Sequence, residues 1–94
     1  MGAAKRIDRQ ELLTVIFKNE GTMYAQEQLR SRDQKLYTAM LMGNHYENNV
    51  RIIFNTEDGE NEVLSRVWAT TDKYVVLKGG MFIPIKSIID VLLE

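Results

Sequence analysis

From Val50 to Glu94 short apolar runs alternate with polar turn clusters, and this rhythm restricts the possible folds more than any other feature of the chain. Val50, Ile52 and Phe54 alternate with Arg51, Ile53 and Asn55, the period of two that gives a strand one core face and one mixed face. Glu57-Asp58-Gly59-Glu60 follows, and its Asp-Gly pair is a strong hairpin signal. The next strand is expected over residues 62–70, with Val63, Ser65, Val67 and Ala69 on one face and Leu64, Arg66 and Trp68 on the other. Thr71-Asp72-Lys73 then turns the chain into a strand over 74–77, and Gly79-Gly80 turns it again into 81–83. Pro84 cannot donate to a ladder, so it belongs at an edge, a bulge or a strand end. One helical or 3-10 turn fits at 87–89 before a last short strand over 90–93.

Upstream the period changes. Asp8 is a good N-cap, with Glu11 placed to close a capping box, and Leu12, Leu13, Ile16 and Phe17 make one apolar stripe. A helix over residues 9–19 is therefore expected, with Gly21 as its stop. Residues 25–35 carry Leu29 as their single large apolar side chain and read as a loop or an exposed helical turn. Ser31 or Asp33 can cap a second helix running to Met42, with Leu36, Tyr37, Met40 and Leu41 on one side and Gly43 closing it. Residues 44–49 then connect to the first strand.

The expected class is thus α+β in a single domain over 1–94: two N-terminal helices within 1–43, then a small, strongly bent, antiparallel five-stranded sheet over 50–94. Four hairpin-linked strands, one turn and a short last strand match the order of SH3-like and Sm-like barrels, which close their sheet. The strand-Asp-Gly-strand pattern and the ending Ile83-Pro84-x-x-x-Ile88 are similar to Sm-like barrels, although Sm proteins' RNA-contacting glycine and asparagine signatures do not accompany them. Three further motifs are Lys35-Leu36-Tyr37-x-Ala39-x-Leu41-x-Gly43-Asn44, Val67-Trp68-Ala69-Thr70, and Val76-Leu77-Lys78-Gly79-Gly80 followed by Ile83-Pro84-Ile85. With these the chain resembles, over residues 35–92, a group of short uncharacterised bacterial proteins of the Bacteroidetes type. The resemblance implies no activity.

Composition excludes several classes. Ninety-four residues suffice for one modest core, and 45% hydrophobic with 27% charged residues is ordinary for a globular chain. No apolar run approaches the roughly 20 residues that span a bilayer. Met1 to Arg6 lacks the apolar stretch of a secretory signal, and Arg6 stands where a myristoylation signal wants Ser or Thr, so the expected location is cytoplasmic. Absent cysteine removes disulfides and thiolate chemistry, and a single histidine, His45, makes the usual zinc sites improbable. Residues 1–35 carry seven Lys/Arg against five Asp/Glu, and residues 36–94 carry five against eight, so no basic tail stands out.

Two candidate surfaces remain. Trp68 and Tyr74, with Phe82, fall on neighbouring expected strands near Arg66, Lys73, Lys78 and Lys86, and such rings can stack bases while the cations meet phosphates. The expected placement nevertheless packs Trp68 and Tyr74 under the helices and Phe82 inside the barrel, and the stacking platform is the alternative. The second surface is the helical stripe Leu12, Ile16, Phe17, Leu36, Met40 and Leu41, which exceeds what one small barrel interior holds and predicts an isologous dimer if a second copy covers it. Glu57, Asp58, Glu60 and Glu62 lack calcium-loop spacing and read as a solvated turn. His45 has no nucleophile beside it, and Gly79-Gly80 lacks phosphate-loop spacing.

No catalytic residues, cofactor or metal ligands can be nominated, so an enzyme is not expected. The expected function is a non-catalytic, self-associating protein-interaction module. The alternative is a small RNA- or DNA-binding protein.

Overall fold

The computed structural model describes residues 4–18, 26–46 and 49–93. In chain order it forms β1 (Lys5–Ile7), a 3-10 turn (Arg9–Leu13), α1 (Gln26–Tyr46), β2 (Val50–Thr56), β3 (Gly59–Ser65), β4 (Val67–Thr70), β5 (Tyr74–Leu77), β6 (Phe82–Pro84), a second 3-10 turn (Ile85–Ser87) and β7 (Ile88–Leu93). One sheet has the order β1-β3-β2-β7 and the other the order β4-β5-β6. Only β1, which runs parallel to β3, departs from antiparallel pairing.

This architecture overturns the expected two helices plus closed five-stranded barrel. Among the described residues there is one α-helix, and seven strands lie in two sheets that do not close, since β6 and β7 each end a sheet without pairing with each other. Two local causes are visible. The strand expected over 62–70 breaks at Arg66, where Ser65 Oγ bonds the Arg66 carbonyl at 3.1 Å and the chain passes from one sheet to the other. Strand β6 is three residues long and ends at Pro84, which lacks the N–H needed to extend the ladder.

The first expected helix is also replaced. Asp8 makes no side-chain cap, and the helical turn ends after Leu13. Beyond it the β-branched run Thr14-Val15-Ile16 favours extended backbone. The β2–β3 hairpin supplies partners: Glu57 N–H donates to the Ile16 carbonyl at 2.8 Å, Lys18 N–H donates to the Asn55 carbonyl at 3.1 Å, and Phe17 bridges Thr56. Gly21, the expected helix stop, lies outside the described residues. The true helix, α1, takes in the polar stretch read as loop or turn from residue 26 onward and continues through Gly43 to Tyr46.

One core lies between the sheets. Val50, Ile52 and Phe54 of β2, Val63 of β3 and Val91 of β7 meet Val67, Val75, Leu77 and Ile83 of the smaller sheet, all fully buried. The buried face of α1 is Arg32, Leu36 and Ala39, with Met40 partly buried beside them; their spacing of four, three and one makes a single helical stripe. The helix packs against β4 and β7. Lys35 Nζ reaches Asp90 at 3.0 Å, and Arg32 Nη1 donates to the Ile85 carbonyl at 3.2 Å, so helix and sheets are pinned at two points. Among the described residues no helix is long and apolar enough to cross a membrane.

The turn between β5 and β6 yields a direct test. Gly79 and Gly80 take φ 89° and 85°, the left-handed region that costs an L-residue roughly 1–2 kcal/mol. A Cβ on Gly80 would meet nothing within 4 Å, so the cost is in the backbone alone. Gly80→Ala is expected to lower the unfolding free energy by that amount, read as a lower urea midpoint with an unchanged slope; a midpoint equal to wild type would mean that the turn adopts another geometry.

Candidate functional site

The smaller sheet has one face in the core and the other in solvent. Val67, Val75, Leu77 and Ile83 occupy the inner face, so strand alternation sends Tyr74, Val76, Phe82 and Pro84 outward. Pairing places Ala69 opposite Val76 and Val76 opposite Phe82, which lines up one residue from each strand, and Tyr74 opposite Pro84 forms the next row. The β4–β5 register shifts between Val67 and Ala69, and Trp68 at this irregularity is exposed. Trp68, Tyr74 and Phe82 are 43%, 42% and 53% exposed, and the Tyr74 and Phe82 rings meet edge to face with centroids 5.1 Å apart.

These positions correct the packing expectation for all three rings. Trp68 and Tyr74 are not sealed beneath helices, and Phe82 fills no interior, because the four inner-face aliphatic residues already occupy the core and α1 packs against β4 and β7. The flanking charges are distributed unevenly. Residues 66–89 carry Arg66, Lys73, Lys78 and Lys86 against Asp72 alone, whereas the β2–β3 hairpin carries Glu57, Asp58, Glu60 and Glu62. Lys73, Lys78 and Lys86 are exposed and Arg66 is half-buried. The acidic set is divided: Glu62 lies on the larger sheet with Arg6 at 3.4 Å and Arg51 at 3.5 Å, while Glu57 and Asp58 form the hairpin tip.

The apolar stripe nominated for protein contact does not form a surface. Leu12 and Leu36 are buried, Phe17 and Met40 pack partly buried against the core, and Ile16 and Leu41 are exposed on separate segments. Four of its six residues are taken up by intramolecular packing, with Phe17 lying 5.7 Å from Phe54 between ring centroids. His45 falls in the last turn of α1 rather than in a connection.

Next to the aromatic face is a groove of about 820 Å³ between α1 and the smaller sheet. Tyr74 lines it together with Lys73 and Lys86, and Arg32 and Tyr37 contribute from α1. Arg32 was not nominated from the sequence. Its spacing from Leu36 and Ala39 is the signal that places its aliphatic stem on the buried stripe. The surface as a whole offers exposed ring faces, apolar area and exposed ammonium groups.

Comparison with known proteins finds no matching family model, curated protein or solved structure. These comparisons do not bear on the expected resemblance to short bacterial proteins.

Proposed function

We propose that the protein is a non-catalytic binding module whose partner lies on the outer face of β4, β5 and β6, and that this partner is single-stranded nucleic acid. The supporting observation is the joint exposure of Trp68, Tyr74 and Phe82 on three adjacent strands. Each exposed ring can stack a base, and base–aromatic stacking contributes about 1–3 kcal/mol per base in single-strand binders. The four cations against one acid in residues 66–89 supply the phosphate attraction that the chain's overall charge of −1 conceals. The proposal sets the protein in the cytoplasm, as the sequence reading does.

A protein partner, first of all a second copy of the chain, is the second reading, favoured by the apolar continuity of Val76, Phe82 and Pro84 across β5 and β6. Strand addition gives it little help. Strand β1 is three residues long with two cations, β6 ends in proline, and α1 packs against both β4 and β7.

Light scattering on the purified protein, with absorbance read at 260 and 280 nm, separates the two. The expected result is carried-over nucleic acid that salt removes, followed by rebinding of a labelled oligothymidylate by the stripped protein. A protein-only dimer with no affinity for the oligonucleotide would overturn the nucleic-acid reading in favour of self-association.

A further inference from the structure

We infer that the groove between α1 and the β4–β5 turn is the phosphate track of this site, carrying the backbone of a single strand past Lys73 and Lys86 while its bases reach Tyr74 and Phe82. The inference rests on the proposed nucleic-acid reading and adds to it a second, electrostatic half. Tyr74 belongs to both surfaces: it lines the groove and contacts the Phe82 ring. A ligand occupying one therefore touches the other.

The groove walls are fixed by interactions inside the protein. Thr71 Oγ1 accepts from Lys73 N–H at 3.2 Å and from Tyr74 N–H at 2.9 Å, which sets the backbone of the turn. Ile85 N–H donates to the Lys73 carbonyl at 2.9 Å, bringing the segment that bears Lys86 beside that turn. Across the groove the Arg32 side chain is only 9% exposed, with Nε and Nη2 each 3.0 Å from Asp33 Oδ1 and Nη1 on the Ile85 carbonyl. Arg32 is thereby neutralised and acts as a strut. Its partners leave Lys73 and Lys86 as the unneutralised cations, since neither ammonium has an ion-pair or hydrogen-bond partner among the described residues. Asp72, exposed on the same wall, is the one opposing charge outside the Arg32–Asp33 pair. Two free ammonium groups next to an exposed ring suit a chain that alternates phosphate and base. They suit a run of acidic residues less well, because the Asp and Glu side chains that would meet the ammonium groups bring no flat ring to place on Tyr74 and Phe82.

The volume, about 820 Å³, is in the roughly 300–1,000 Å³ range of pockets that take small ligands. The groove is open to solvent along the exposed residues Asp72, Lys73 and Lys86, as a passing strand requires.

The test is the salt dependence of binding. Anisotropy of a labelled oligothymidylate about 12 nucleotides long is titrated with wild-type protein, with Lys73→Ala/Lys86→Ala and with Lys5→Ala, whose lost charge lies on β1 of the other sheet. Each phosphate neutralised on a single strand contributes about 0.7 to the slope of log affinity against log salt. The double variant is expected to be shallower by about 1.4, with Lys5→Ala unchanged. Both groove lysines are exposed, and circular dichroism verifies that the double variant folds. An unchanged slope in a folded double variant that still binds would overturn the groove while leaving the aromatic face intact. An equal loss in Lys5→Ala would overturn it in favour of diffuse attraction. Poly-L-glutamate competing as well as unlabelled oligothymidylate would overturn it in favour of an acidic protein. Wild-type protein that does not bind the oligonucleotide at all would instead remove the proposed function on which the groove depends.

Discussion

Trp68→Ala is expected to fold normally and to lose most of its affinity for single strands. If the ring were core, its removal would cost about 3–5 kcal/mol, enough to endanger a domain of this size. At 43% exposure, beside an irregular pairing between β4 and β5, it leaves no enclosed cavity when truncated. The expected change in stability is under about 1 kcal/mol, measured by urea unfolding. The binding loss follows from stacking: about 1–3 kcal/mol per base corresponds to about 5- to 150-fold in affinity, and Trp68→Ala/Phe82→Ala should lose more than either single variant. The two measurements separate the alternatives. An unfolded Trp68→Ala would return the ring to a structural role, whereas a folded variant with wild-type affinity would show that the partner does not use this face.

Strand alternation is local and marks the inner face, but it does not say whether the other face is covered, so the exposure of these rings was not legible. Val67 opposite Trp68, and Val75 and Leu77 flanking Val76, mark the inner face by their own spacing. Turn chemistry is local too: the Asp58-Gly59 and Gly79-Gly80 turns and the proline at the end of β6 lie where their residue types require. The failures came from partners distant in sequence. Leu12, Leu13, Ile16 and Phe17 have helical spacing, but the residues that decide their fate are Asn55, Thr56 and Glu57, some forty positions further on. Strand β1 is equally hidden, since Lys5-Arg6-Ile7 becomes a strand only by pairing with Asn61 to Val63. The break at Arg66 carries neither glycine nor proline, so nothing near it announces a change of sheet.

The groove shows the same limit at the level of the site. Lys73, Lys86 and Tyr74 are candidates by type and position, but Arg32 lies between the two candidate caps Ser31 and Asp33, at the start of the expected second helix, where its residue type does not set it on a buried face. Only when α1 lies over Ile85 does an arginine become a strut and the space beside it a track. Net charge also hides two unlike segments. The acidic hairpin of β2–β3 and the basic segment of 66–89 cancel in the total, and the fold assigns them to different sheets.

Phe54→Ala should have the largest effect on stability. Phe54 is fully buried in the middle of the larger sheet, paired with Asn61 of β3 on one side and Ile88 of β7 on the other. It also receives Phe17, so truncation opens a cavity and removes a ring contact that ties the N-terminal segment to the hairpin. The expected cost is about 3–5 kcal/mol, a large part of the roughly 5–15 kcal/mol that stabilises an ordinary domain. Phe17→Ala, from a half-buried position, should cost less, and the double variant should lose less than the two costs added, because the ring pair is counted in both. Additive losses would mean that Phe17 does not depend on Phe54, and the N-terminal segment would then be held by its backbone bonds to Asn55 and Glu57 alone. Urea unfolding of the four proteins measures this, and a Phe54→Ala variant within about 1 kcal/mol of wild type would contradict the packing of the core itself.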